Sequence, residues 1–290
     1  MTFAGQVEEV PEWERRLADG RDEGYFAPDS AVWAVHGGMA SIVAGVRSLL
    51  MQALHPGAMA GVYDWSDYRS DPLARLAGTI RWIFTVTYGD TAAANEATEF
   101  VRRIHDRVHG RYVDAHGVSR PYSANDQELL EWVHLAFTDS FLAAHRRWGG
   151  EIPGGENAYV RQWAISAELM GVAGPPRSMR ELRADMDAVY DAGDLCADDR
   201  VAEVVHFLKH PPLAKALRPG YQAVFAGAAA SIEPKYRRML GLSVPLEPVA
   251  TCAAGSALKA VGRALGPQGP SELAARERLT RLAIKRQNAS

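Results

Sequence analysis

Apolar residues in this chain recur every three or four positions, and nowhere between turn signals do β-branched residues alternate with polar ones. That rhythm is the stripe of an amphipathic helix and not the two-residue alternation of a half-buried strand, so the chain is constrained to an all-α fold. At 290 residues with 47% hydrophobic content it can bury one large core, and a single multi-helix domain is expected. Helices are punctuated by Gly, Pro and capping residues. The first runs from Asp29 or Ser30 to Leu54. The next two run from Asp71-Pro72 to Gly89 and from Asp90 or Thr91 to Gly110. Residues 111–125 read as a loop, and Asp126 opens a helix striped by Leu130, His134, Phe137 and Phe141. Further helices fall near 157–170, at Ser178 with its capping-box partner Glu181, and near 199–208, 213–230 and 233–240. The domain should cover residues 1–245, with 246–290 a small-residue tail ending in a basic helical segment.

The two helices from Asp71 to Gly110 are the informative pair. Arg75, Thr79, Trp82 and Val86 share one helix face; Val101, Ile104, His105 and Val108 share another. A short connection makes the helices antiparallel, so a cation, a hydroxyl and an imidazole are expected to face inward together. Burying them is costly unless a polar network or a bound cofactor satisfies them. Arg75 has only Asp71 within helical reach, and Asp71 is expected at the cap, so the guanidinium needs another anion; a haem propionate would serve. His105 and His109 also form HxxxH, a metal-binding spacing on a helix, although the glutamate of a metalloprotease is absent. His36, followed by Gly37 and Gly38, reads as a histidine in a close helix contact, whereas His55, before Pro56, could face a cavity.

Other chemistries lack their residues. Net charge is −3 with no concentrated basic patch, which argues against nucleic acid as a partner. No G-x-S-x-G or G-x-G-x-x-G occurs, and Cys196 and Cys252 stand alone as unpaired thiols. The acidic start, with Glu8, Glu9, Glu12 and Glu14, is unlike a signal peptide, and the apolar segments 30–54 and 215–232 are interrupted by polar residues. A cytoplasmic protein without a transmembrane segment is expected.

The segment from Asp71 to Phe141 resembles the catalytic domain shared by the rubber oxygenases (latex clearing proteins) and the MpaB-type oxygenases. The matching features are Arg75 to Thr79 (RLAGT), Tyr88-Gly89, Val101 to Val108 (VRRIHDRV), and Pro121 to Asp126 (PYSAND) leading into Trp132-Val133-His134. Upstream, Phe26 to Ser30, Val32-Trp33 and Leu54-His55-Pro56 are similar to the bacterial MpaB-type branch, and the likeness spans about residues 20–245. The resemblance implies an all-α domain enclosing a haem b pocket and an oxygenase using dioxygen; rubber-cleaving members open carbon–carbon double bonds. It implies His105 as the proximal iron ligand, with Arg75 and Thr79 beside the haem. Gly78 stands where some rubber oxygenases carry a lysine as second axial ligand, so the distal side is expected to be open, taken by water or filled by another residue, with His55 and His134 as candidate ligands or hydrogen-bond donors and Met51 or Met59 as further options. That departure favours a small lipophilic substrate, terpenoid or fatty, over rubber. Two other readings stay open: a haem or lipophilic-ligand carrier without turnover, and a cofactor-free scaffold in which Arg75 pairs with a carboxylate such as Asp139.

Overall fold

A computed structural model describes residues 10–65, 72–266 and 268–289, with the side chains of 72–76 and 289 outside that description. The chain is 70% helical, with one small two-stranded sheet among the described residues. A short N-terminal helix, α1 (Glu12–Arg15), precedes α2 (Ala31–Gly37) and α3 (Ala40–Gln52). The sequence reads as one helix here, yet α2 and α3 meet at 89°. Gly38 is extended and ends α2, while Gly37 sits so close to the next layer that a Cβ would lie 3.0 Å from the Tyr88 hydroxyl. The glycine pair therefore makes a corner. Ser30 caps α2, its Oγ accepting from the Trp33 amide at 3.2 Å.

Next comes α4 (Pro56–Trp65), in a stretch read from the sequence as small residues leading into a loop. Its glycines and alanines serve close packing: a Cβ on Gly57 would lie 2.8 Å from Leu129 and 3.0 Å from Tyr112. Helix α5 (Pro72–Tyr88) and helix α6 (Thr91–His105) form the antiparallel pair. Asp90 caps α6 through the Ala93 amide at 2.9 Å and also accepts from the Arg21 amide, while Asp22 accepts from the Thr91 amide. The N-terminal arm thus holds the turn. Asp71, the expected cap of α5, lies outside the described residues.

Helix α6 stops at His105, short of Gly110, and the expected loop contains an antiparallel hairpin of β1 (His109–Val113) and β2 (Ser119–Ser123). Each strand buries one tyrosine, Tyr112 or Tyr122, the rings meeting edge-on at 6.0 Å. One buried residue per strand gives no visible alternation, which is why the sequence reads as loop.

The central helix is α7 (Gln127–Trp148), which packs along α3 and buries Trp132, Leu135, Phe137, Phe141 and Leu142. Between them lies Arg47, 1% exposed, its guanidinium held by Asp139 at 2.7 Å and by Ser140 Oγ at 2.8 Å. Around this pair sit α8 (Gly155–Met170), α9 (Met179–Asp191), α10 (Asp199–Lys209), α11 (Arg218–Ser231) and α12 (Pro234–Met239). At α9 the expected capping box is present: Ser178 Oγ accepts from the Glu181 amide, and Glu181 accepts from the Arg177 amide.

The segment read as a tail carries α13 (Glu247–Leu265), packed on α11, and α14 (Pro270–Ala289), packed on the N-terminal arm. Arg278 of α14 is wholly buried and donates to the Leu17 carbonyl at 2.7 Å; Ser271 donates to Glu14. No single helix among the described residues is long and apolar enough to cross a membrane.

Candidate functional site

One hydrogen bond sets the register of the α5–α6 pair. Trp82 Nε1 donates to Thr98 Oγ1 at 3.2 Å, so these positions are level in the two antiparallel helices. Stepping away from the turn, Thr79 and Arg75 on α5 and Val101 and His105 on α6 follow toward the same end of the pair. The inner stripe of α6 is Ala94, Thr98, Val101 and His105, spaced i, i+4, i+7, i+11; Ala94 and Thr98 are buried, Val101 and His105 half-buried. Trp82 and Val101 pack together against Leu130, Ala167, Met170 and Val172 of the α7–α8 layer.

His105 ends the stripe, with its Nδ1 atom shielded from solvent. Ile104, assigned from the sequence to the inner stripe, is instead 46% exposed, as is Phe100 at 56%. Ile80 of α5, at 37%, adds a third large apolar side chain to the outer surface of the same pair. Thr79 is exposed, and the Arg75 side chain lies outside the described residues. A Cβ on Gly78 would meet nothing within 4 Å, so the helix has room for a side chain there.

The HxxxH reading fails on backbone grounds. His105 is the last residue of α6 and His109 the first of β1, so the two imidazoles do not share a helix face. His109 is exposed and lies 5.5 Å from the Trp65 ring, and among the described residues no group of three or more His, Cys, Asp or Glu could hold a metal ion.

Besides His145, whose Nε2 lies 3.1 Å from the Gly150 carbonyl, three histidines are buried. His36 is a satisfied core residue: Nδ1 lies 2.8 Å from Thr87 Oγ1, Nε2 lies 3.0 Å from the Tyr159 hydroxyl, and the ring packs edge-on to Trp163 at 4.4 Å. Burial, with a smaller push from His145, lowers its pKa to about 3. His134 of α7 lies with Nε2 3.5 Å from Thr138 Oγ1, and burial lowers its pKa to about 4. His55 precedes α4, and its Nδ1 accepts from the Gly57 amide at 3.2 Å, which leaves the proton on Nε2. Burial lowers it to about 4 against the opposing pull of Asp194. All three imidazoles are therefore neutral at pH 7 and suited to hydrogen bonding or ligation.

An aromatic stack links the helix pair to the core and was not apparent in the sequence. Trp82 meets Trp163 at 6.2 Å, Trp163 stacks on Phe137 at 5.4 Å, and Phe137 stacks on Phe141 at 4.0 Å. Phe137 and Phe141 lie on the expected α7 stripe; Trp163 comes from α8, and only tertiary packing brings it there. Two surface clefts, one beside Arg180 and Asp187 and one beside Arg147 and Arg237, are lined by charged residues and contain none of the candidate residues.

Comparison with curated protein sequences and with solved structures finds no match. Residues 33–266 match the family model described as the catalytic domain of ER-bound oxygenase mpaB/B′ and rubber oxygenase, and with most of its length matched the chain belongs to that oxygenase family.

Proposed function

We propose that this protein is a haem b-dependent oxygenase acting with dioxygen on a small lipophilic substrate, terpenoid or fatty, and that His105 ligates the iron. The observation that carries this reading is the inner stripe of α6: it ends in an imidazole whose Nδ1 is shielded from water, at the end of the pair toward which the antiparallel α5 also carries Arg75. The residues fit the group. His105 would offer an imidazole nitrogen donor, Arg75 would meet a propionate, and Trp82 and Val101 give the inner side of the pair an apolar character that suits a flat macrocycle. When bound, haem supplies the redox-active iron that dioxygen chemistry needs.

The chain's own contribution is orientation and polarity. Arg75 provides a charge that does not titrate, and Thr79, one turn away, provides a hydroxyl that can donate or accept. His134 and His55, neutral because they are buried, would supply hydrogen-bond donors to a bound ligand without bringing a charge into an apolar site. With Gly78 in place of lysine, no amine from that position competes for the iron. The exposed Ile80, Phe100 and Ile104 favour a lipophilic substrate by offering apolar contact next to the pair.

A non-catalytic haem or lipophilic-ligand carrier is the second reading, and it shares every one of these residues. A cofactor-free scaffold built on an Arg75–Asp139 pair has less support, since Arg47 already engages the Asp139 carboxylate at 2.7 Å. The test is spectroscopic. Protein purified from haem-sufficient cells should carry a Soret band that His105→Ala abolishes and His134→Ala retains, with helical content unchanged in both. A colourless wild-type protein, or a His105→Ala variant with full Soret absorbance, refutes the assignment. Oxygen uptake with terpenoid and fatty substrates then separates oxygenase from carrier.

A further inference from the structure

The chain contains HxxxH twice, and the second instance, His206 to His210, keeps the geometry that the first loses. Helix α10 runs to Lys209, and His210 is its C-cap, its amide still bonded to the His206 carbonyl at 3.0 Å, so the turn between the two histidines is closed. Their rings lie 5.0 Å apart at 54°, and both residues are exposed. Two imidazoles one turn apart on a helix present nitrogen donors on the same side, the arrangement in which borderline divalent transition cations are chelated.

Helix ends ordinarily fray, which would cost such a pair its preorganisation. This end is held. The Tyr221 hydroxyl donates to the Leu208 carbonyl and Gln222 Nε2 donates to the Lys209 carbonyl, each at 2.5 Å, tying the last turn of α10 to α11. Leu208 is buried beneath it, and Pro211 and Pro212 stiffen the exit. The site also lies at the carbonyl end of α10, where the helix dipole favours positive charge and offsets part of the repulsion from Lys209.

We propose that His206 and His210 form a two-histidine site for a divalent cation of the zinc, nickel and copper class, with the remaining coordination positions open to water or to a further donor. The site is on α10, apart from the α5–α6 pair, and does not depend on the haem reading. Untagged full-length protein, stripped with chelator, is titrated calorimetrically with zinc, nickel and copper salts. One equivalent should bind, His206→Gln and His210→Gln should each weaken it by at least about tenfold, and the double variant should lose it. His116→Gln, an exposed histidine elsewhere, should bind as wild type. Paramagnetic broadening by copper in the wild-type protein should centre on the end of α10, which checks the location without a variant. A double variant that retains the equivalent, broadening centred elsewhere, or a wild-type protein that takes up none of the three cations overturns the proposal. A Soret band unchanged in these variants keeps this outcome separate from that of the haem assignment.

Discussion

Replacing Asp139 with Ala leaves the Arg47 guanidinium between α3 and α7 without the carboxylate it is paired with, at a position 1% exposed to solvent. Breaking a buried ion pair from one side costs about 3–5 kcal/mol, because the remaining charge stays desolvated. Two features reduce that here. The Asp139 side chain is 15% exposed, so water can reach the vacated space, and Arg47 keeps Ser140 Oγ at 2.8 Å and a long contact to the Ser231 carbonyl at 3.4 Å. A loss of about 2–3 kcal/mol is therefore expected, which for a chain of this size lowers Tm by roughly 4–10 °C. The assay is reversible denaturation of both single variants and of the Arg47→Met/Asp139→Ala double variant. The double variant should be more stable than Asp139→Ala alone, since it removes the stranded charge and fills the space with an apolar chain. A single-variant loss below about 1 kcal/mol, the range of exposed pairs such as Arg103–Glu99, would refute the claim that burial makes this pair matter.

Gly37→Ala forces a methyl to within 3.0 Å of the Tyr88 hydroxyl at the α2–α3 corner and should cost about 1–3 kcal/mol in chemical denaturation; an unchanged midpoint would mean the corner relaxes freely. Because His55 and His134 have folded pKa values lowered to about 4, and His36 to about 3, the unfolded chain binds more protons as pH falls below about 6.5. Stability is then fully present above that pH and declines toward pH 4, by about 1.4 kcal/mol per pH unit for each histidine at the steepest. His134→Gln should flatten this slope, and an identical pH profile would show that His134 is not held neutral by the fold. Thr98→Val removes the acceptor of Trp82 Nε1 and should cost about 1–2 kcal/mol while changing the tryptophan fluorescence; a spectrum identical to wild type would place Trp82 elsewhere.

The helices were readable because their caps and stripes are local. Ser30, Asp90 and Ser178 each satisfy backbone amides within three residues, so the start of α2, α6 and α9 is written in adjacent sequence. What stayed hidden depends on residues far apart. The α2–α3 corner depends on Tyr88 passing beside Gly37, and the hairpin on Tyr112 and Tyr122 finding Leu129 and Ala60. Small residues such as Gly57 and Ala60 look like loop composition until the partner that needs the space is known.

The same distinction governs the candidate site. Hydrophobicity alone favours Ile104 over Thr98 as an inward residue of α6, yet Thr98 is buried and Ile104 is not. The deciding interaction is the Trp82 Nε1 bond to Thr98, which satisfies an indole donor and a threonine hydroxyl at once; the same hydroxyl donates to the Ala94 carbonyl at 2.8 Å. Once that pair fixes the rotation of α6, His105 follows onto the inner stripe at i+7 from Thr98, and Ile104, a residue earlier, turns outward. The assignment of His105 therefore rests on a polar contact two turns away and not on the apolar pattern around it, so Thr98 is the residue whose loss should rotate or loosen the helix that carries the proposed iron ligand.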